Sequence, residues 1–99
     1  MLTNKLTFRL SIMRPEEIVA IRKSLGLTQA DFARLFDAHV MTISKWERGV
    51  AAPSAYQASL MAQFKLKAEQ QAAQAQIEVK NLLVGAGVIA ALVWLLSSR

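Results

Sequence analysis

The sequence predicts an all-α fold with a short β-strand at its N-terminus and a long helix at its C-terminus. Helix start and stop signals divide residues 14–54 into short helices. Residues 54–84 contain neither glycine nor proline and are rich in alanine, glutamine, lysine and leucine, which favour helices. Leu6, Phe8, Leu10 and Ile12 alternate with polar residues, which is the period-two pattern of a strand.

The predicted strand covers about residues 5–12, within an N-terminal arm of residues 1–13. A lone strand cannot pair its own backbone groups, so it needs a partner. Two interpretations stay open. The strand pairs with the same strand of a second subunit, which would make the arm a dimer contact, or it lies along the helical core.

Capping signals place the helices of the front half. Pro15 suits a first helical turn and Gly26 a C-terminal cap, while Gly49 suits the end of a later helix. Thr28 and Ser54 each begin a sequence with capping-box spacing. The signals predict three short helices with approximate bounds Pro15 to Ser24, Gln29 to Phe36 and Val40 to Arg48, and a long helix after Ser54.

Composition excludes several kinds of chemistry. The chain has no cysteine, which rules out disulfides, thiol nucleophiles and cysteine-based zinc sites. His39 is the single histidine, the carboxylates are scattered, and no glycine-rich phosphate loop occurs. We therefore expect no enzyme, no metal and no cofactor. The net charge of +5 in 99 residues suits a polyanionic partner, either DNA or an anionic lipid surface.

Two stretches carry a family resemblance: LTQADFARLF at residues 27–36 and TISKWERG at residues 42–49. Together they resemble the helix-turn-helix proteins of the Cro and phage-repressor family, also called the xenobiotic-response-element (XRE) family. The resemblance covers roughly residues 14–56. It implies a Cro/repressor-like helical bundle over residues 14–64 that binds duplex DNA. Residue spacing agrees, because Ala33 falls where the two helices would cross closely.

The resemblance also implies which residues contact DNA. By position in the family's motif they are Gln29, His39, Val40, Met41, Thr42, Lys45 and Arg48.

Those residues would have different roles. Gln29 would cap a phosphate and support the recognition helix, while Thr42 and Arg48 would reach the DNA backbone. The sequence departs from the family's usual pattern at Asp37, where glycine is common, and at His39, where serine or threonine usually caps the helix.

Val40 and Met41 replace polar residues that are frequent at the start of that helix. Their contacts with DNA would be apolar, to thymine methyl groups, which makes Lys45 the main candidate to read guanine. An exposed turn residue is the simpler interpretation of His39.

The C-terminal segment predicts a membrane helix. Residues 81–98 carry no charge and residues 82–96 are an unbroken apolar run. Eighteen helical residues span about 27 Å, close to a hydrocarbon core of about 30 Å. Lys80 and Arg99 flank the segment, and the lysines before it would keep the DNA-binding end in the cytoplasm, anchored at the inner membrane. The alternative is a soluble helix buried in an oligomer.

Residues 65–81 are predicted to form a helical stalk before the apolar helix of residues 82–98. Apolar residues with alternating four- and three-residue spacing run along both segments as a heptad seam, which indicates self-association. The members of this seam are Ala68, Ala72, Ala75, Val79, Leu82, Ala86, Ile89, Val93 and Leu96.

These features lead to three functional hypotheses. The first is a sequence-specific transcriptional regulator, dimeric or oligomeric and tethered to membrane lipid, that reads the major groove with residues 40–48. The second is a membrane-attached adaptor that binds a protein through Val40 and Met41, since the layout resembles the bacterial cytoskeletal adaptor RodZ. The third is a soluble antitoxin-type repressor that oligomerises through its C-terminal helix.

Overall fold

A computed structural model describes residues 13–97, and within this range the chain forms helices and connecting turns without a strand. The helices are α1 (Pro15–Ser24), α2 (Gln29–Arg34), α3 (Val40–Glu47), α4 (Ala55–Gln70), α5 (Ala72–Gly85) and α6 (Val88–Leu96). The all-α prediction is therefore confirmed for the described residues. The strand predicted for residues 5–12 lies outside them and stays a prediction.

Local signals set the helix starts. Pro15 is the first residue of α1. The Thr28 hydroxyl accepts a hydrogen bond from the Asp31 backbone N–H at 3.1 Å and so caps α2. Ser54 and Gln57 form a reciprocal capping box at the start of α4, with bonds of 2.8 and 3.1 Å. Each cap satisfies backbone donors that a helix leaves without an internal partner.

An aromatic cluster joins three of these helices. The Phe36 ring lies 5.0 Å from Phe32, 5.5 Å from Trp46 and 5.6 Å from Phe64, measured between ring centroids. Phe36 follows α2, whereas Trp46 belongs to α3 and Phe64 to α4. These contacts fix the angle between α2 and α3, which determines how α3 is presented to solvent.

The long C-terminal helix predicted from residue 54 onward is interrupted twice. The helix stops at Gln71, whose backbone leaves the helical region at φ −136° and ψ 58°, and again at Gly87, whose φ is +107°. The segments after each break pack back onto the earlier helices, so residues 65–81 do not project as a stalk. A few hydrogen bonds lost at a break cost about 1 kcal/mol each, whereas burying one aliphatic side chain stabilises by about 1.5–3 kcal/mol. Val79, Leu83 and Leu95 are buried in this way.

The prediction of a membrane-spanning helix over residues 82–98 is wrong. Within residues 13–97 no helix has both the length and the apolar character needed to cross a bilayer. The break at Gly87 divides the apolar run between the end of α5 and the nine residues of α6. Because Leu83, Ala91 and Leu95 are buried against the rest of the protein, their apolar surface is already covered. The predicted anchoring at the inner membrane, which depended on this helix, is therefore wrong as well.

Three polar contacts fasten the C-terminal helices. Lys80 Nζ of α5 lies 2.5 Å from Asp31 Oδ2 of α2. The Gln76 side-chain amide donates to the Lys23 carbonyl at the end of α1, at 3.2 Å. Lys67 of α4 is buried, with its ammonium 4.6 Å from the centre of the Trp94 ring of α6, a cation–π contact.

Candidate nucleic-acid interface

Helix α3 has one side buried in the core and one side exposed to solvent. Ile43 and Trp46 point into the core and are almost completely inaccessible. On the opposite side of the helix, Met41, Lys45 and Arg48 follow one another at spacings of four and three residues, and all three are exposed. We call these three residues the recognition face. It combines one apolar side chain with two cations.

The cations of the recognition face have few partners among residues 13–97. Arg48 Nε donates to the Ser44 hydroxyl at 3.1 Å, which orients the guanidinium along the helix. Among the described residues, the ion pairs involve neither Lys45 nor Arg48. Their charges therefore remain available to an external anion.

A buried ion pair fixes α3 in place. Arg22 of α1 donates to Glu47 at the end of α3 through two nitrogens, at 2.7 and 3.1 Å. Gln29 of α2 donates to the same carboxylate at 2.9 Å. The pair is mostly shielded from solvent, with side-chain exposures of 15% and 7%. Three helices thus meet at one carboxylate, and α3 cannot tilt without breaking several charge-assisted hydrogen bonds.

The ionisation of Glu47 reflects these contacts. Burial alone raises the pKa of this carboxyl, but the hydrogen bonds from Arg22 and Gln29 outweigh that effect and lower the pKa below its usual value. Glu47 is therefore charged at neutral pH, as its role in holding α3 requires.

His39 is the N-cap of α3. Its Nδ1 accepts a hydrogen bond from the Met41 backbone N–H at 3.1 Å, so the side chain performs the capping that serine or threonine usually performs. Because Nδ1 accepts, Nε2 carries the ring proton, and the residue is exposed. Asp37, two residues before His39, has φ +53°, a backbone conformation that aspartate adopts more readily than most residues other than glycine.

The structure places six of the seven sequence-predicted site residues together. His39, Val40, Met41, Thr42, Lys45 and Arg48 all belong to α3 or its caps.

Their environments differ. Val40 and Met41 are 37% and 51% exposed at the start of α3, and Thr42 is half-buried on its flank. Gln29 lies on α2, and its side-chain amide donates to Glu47 at the end of α3.

Arg22 and Glu47 hold α3 in place, and the sequence-predicted site did not include them. The signal was present, because each is a charged residue within an otherwise apolar helix face. Arg22 lies four residues after the buried Ile18, and Glu47 lies four residues after the buried Ile43, which places each on the buried side of its helix. Two charges of opposite sign at inward positions of neighbouring helices indicate a buried pair.

Comparison with known proteins agrees with this geometry. Residues 18–64 match a protein-family model described as helix-turn-helix, of the Cro and phage-repressor type. These residues therefore resemble a helix-turn-helix domain. The matched range begins inside α1 and ends inside α4, so α5 and α6 lie beyond it. Neither the curated proteins nor the solved structures compared with the chain gave a match.

Proposed function

We propose that the protein is a transcriptional regulator that binds duplex DNA and places α3 in the major groove. The observation that carries this proposal is the recognition face. It presents a methionine and two cations that take no part in the ion pairs of residues 13–97, on a helix held in place by Glu47. A helix of this size fits the major groove, where base pairs present distinct patterns of donors and acceptors.

The predicted site residues of α3 and its caps then each have a definable contact with DNA. Lys45 donates to guanine O6 or N7, while Val40 and Met41 contact thymine methyl groups. Arg48, Thr42 and the exposed Nε2–H of His39 donate to phosphate oxygens.

Gln29 acts mainly through Glu47. The second hydrogen of its side-chain amide is available to a phosphate, because only one donation to Glu47 is made.

The ion pairs within the protein also favour an anionic partner. Glu47 and Asp31 are neutralised by Arg22 and Lys80, whereas Lys45 remains exposed without an ion pair in the part of the chain that the structure describes. Within α3 and its caps, the one acidic side chain, Glu47, is therefore balanced by Arg22 of α1, whereas Lys45 and Arg48 keep their charge toward solvent. Phosphate attraction of this kind supplies most of the sequence-independent affinity for DNA.

The Lys45→Ala variant tests the base contact. Duplexes selected from a random library by the wild type are titrated with both proteins, and fluorescence anisotropy gives the affinities. We expect Lys45→Ala to lose about 1–3 kcal/mol of discrimination at one base position, and all duplexes to bind less tightly as salt increases.

Lys65→Ala is the matched control, because it removes the same charge from an exposed position of α4. It should keep the wild-type base preference. A wild type that does not bind duplex DNA at low salt, or binds every sequence equally, would contradict the proposal.

A second candidate function is protein recognition through the same helix. The exposed Val40 and Met41 favour it, since direct base readout usually employs more polar side chains at these positions. In that case the wild type lacks DNA affinity, and Val40→Glu abolishes binding of a defined protein partner while leaving the fold intact.

A further inference from the structure

The outward side of α6 is an uncovered apolar stripe. Ile89, Val93 and Leu96 follow one another at spacings of four and three residues, and they are 75%, 65% and 44% exposed. Exposed aliphatic residues occur singly on most proteins, but three on one helix face form a patch. The patch borders a groove of about 550 Å³ that α6 forms with the start of α4 and the end of α2. Tyr56, which is 73% exposed, lines that groove.

The stripe is the remainder of the predicted heptad seam. The breaks at Gln71 and Gly87 separate the seam into parts with different surroundings. Ala68, from the part on α4, and Ala75 and Val79, from the part on α5, are buried within the protein's own core. A seam that is already covered there cannot hold a second chain. The part on α6 is available.

Charge indicates which partner fits. The chain carries a net charge of +5, yet residues 81–97 contain no charged side chain. An acidic or basic partner would find no counter-charge on α6. Two copies of this chain repel each other over most of their surfaces, but they can bring their α6 helices together without burying a charge.

We propose that α6 packs against α6 of a second copy around a twofold axis, through Ile89, Val93 and Leu96. Such an interface is self-complementary, because the same patch serves both chains. The inference rests on the proposed function in one respect: it names the contact that would bring two recognition faces to half-sites one helical turn apart.

The available area predicts a weak dimer. Together with Tyr56, the stripe offers on the order of 300 Å² of apolar side-chain surface in each copy. Since about 60% of an interface is apolar, the two copies would bury roughly 1,000 Å² in total, at the lower limit for specific interfaces. We expect a dissociation constant in the micromolar range. DNA that binds both copies at once would shift the equilibrium toward the dimer.

Cysteine cross-linking of the full chain tests the contact, because the wild type has no cysteine. Val93→Cys places a thiol at the centre of the stripe. Ile77→Cys is the control, since Ile77 is similarly exposed, at 62%, but lies on α5. With oxidised glutathione as oxidant, Val93→Cys should give a disulfide-linked dimer at least tenfold faster than Ile77→Cys.

Sedimentation equilibrium gives the second measurement. Val93→Lys brings two like charges together across the twofold axis and should raise the dissociation constant at least tenfold, whereas Ile77→Lys should leave it unchanged. Circular dichroism confirms that both variants fold. Both positions are exposed, so loss of the core is not expected.

Three outcomes would overturn the inference. The first is a wild type that stays monomeric up to about 1 mM, well above the expected micromolar range. The second is equal cross-linking at positions 77 and 93. The third is a monomeric wild type whose Phe8→Lys variant dimerises, because that would assign the stripe to residues 1–12. A stable dimer without DNA affinity would contradict only the proposed function. A monomer that binds a single DNA half-site would contradict only the dimer inference.

Discussion

Both the end of α1 and the packing of α5 depend on Gly26. It ends the first helical segment with φ +71°, a conformation that side chains rarely adopt. A Cβ at this position would also lie 3.0 Å from the Gln76 carbonyl oxygen of α5. The backbone of α5 can approach α1 this closely only because residue 26 has no side chain.

Replacing Gly26 with alanine is therefore expected to lower the free energy of unfolding by about 1–3 kcal/mol, through backbone strain and displacement of α5. Urea denaturation measures the change. Gly85→Ala is the control, because its new Cβ meets nothing within 4 Å. That variant should be neutral or more stable by up to about 1 kcal/mol. Equal effects at both glycines would contradict both the backbone strain at residue 26 and the close approach of α5.

Single-residue features were the most predictable from sequence. Capping by Thr28 and Ser54 depends on neighbours three residues away. The start of α1 is marked by Pro15 itself. The pairing of Arg22 with Glu47 spans 25 residues and depends on the angle between α1 and α3. Local patterns carry no information about that angle.

Among the helices, α5 shows why propensity misled the prediction. Its residues favour a helix, and they form one, but propensity does not determine where the helix stops or what it packs against. The polar residues before it suggested a solvated stalk. In the structure, Ala75, Val79 and Leu83 form one narrow buried face of α5, and the glutamines of this helix remain outside.

Two neighbouring residues of α5 test whether this packing stabilises the protein. Leu83 is 1% exposed and Val84 is 70% exposed. We expect Leu83→Ala to lower the free energy of unfolding by about 2–5 kcal/mol and Val84→Ala to change it by no more than about 0.5 kcal/mol. Chemical denaturation measures both. If α5 projected from the domain, the two substitutions would have similarly small effects.

At the scale of the whole molecule, ion pairs link segments that are distant in the chain. Arg22 and Glu47 join α1 to α3, and Lys80 and Asp31 join α5 to α2. The arrangement of α1, α2 and α3 was predictable because the motif that resembles a helix-turn-helix is local and dense. The return of α5 and α6 onto these helices was not, because it depends on surfaces that exist only after the domain has folded.

The linkage between α5 and α2 predicts how stability depends on pH. The hydrogen bond from Lys80 lowers the pKa of Asp31, and burial only partly opposes it. The folded state therefore binds fewer protons than the unfolded state, in which the pKa is near 3.8. Stability from this contact is complete at neutral pH and is lost as the pH falls below that value.

Asp31→Asn isolates this contribution, because it removes the charge and nearly preserves the shape. At pH 7 the variant should unfold at a lower urea concentration than the wild type, and the difference should shrink as the pH approaches about 2. Glu69→Gln removes an exposed carboxylate from α4 and should track the wild type at neutral pH. A difference between Asp31→Asn and the wild type that persists undiminished in acid could not come from the carboxylate charge. The contact with Lys80 would then stabilise the return of α5 through packing alone.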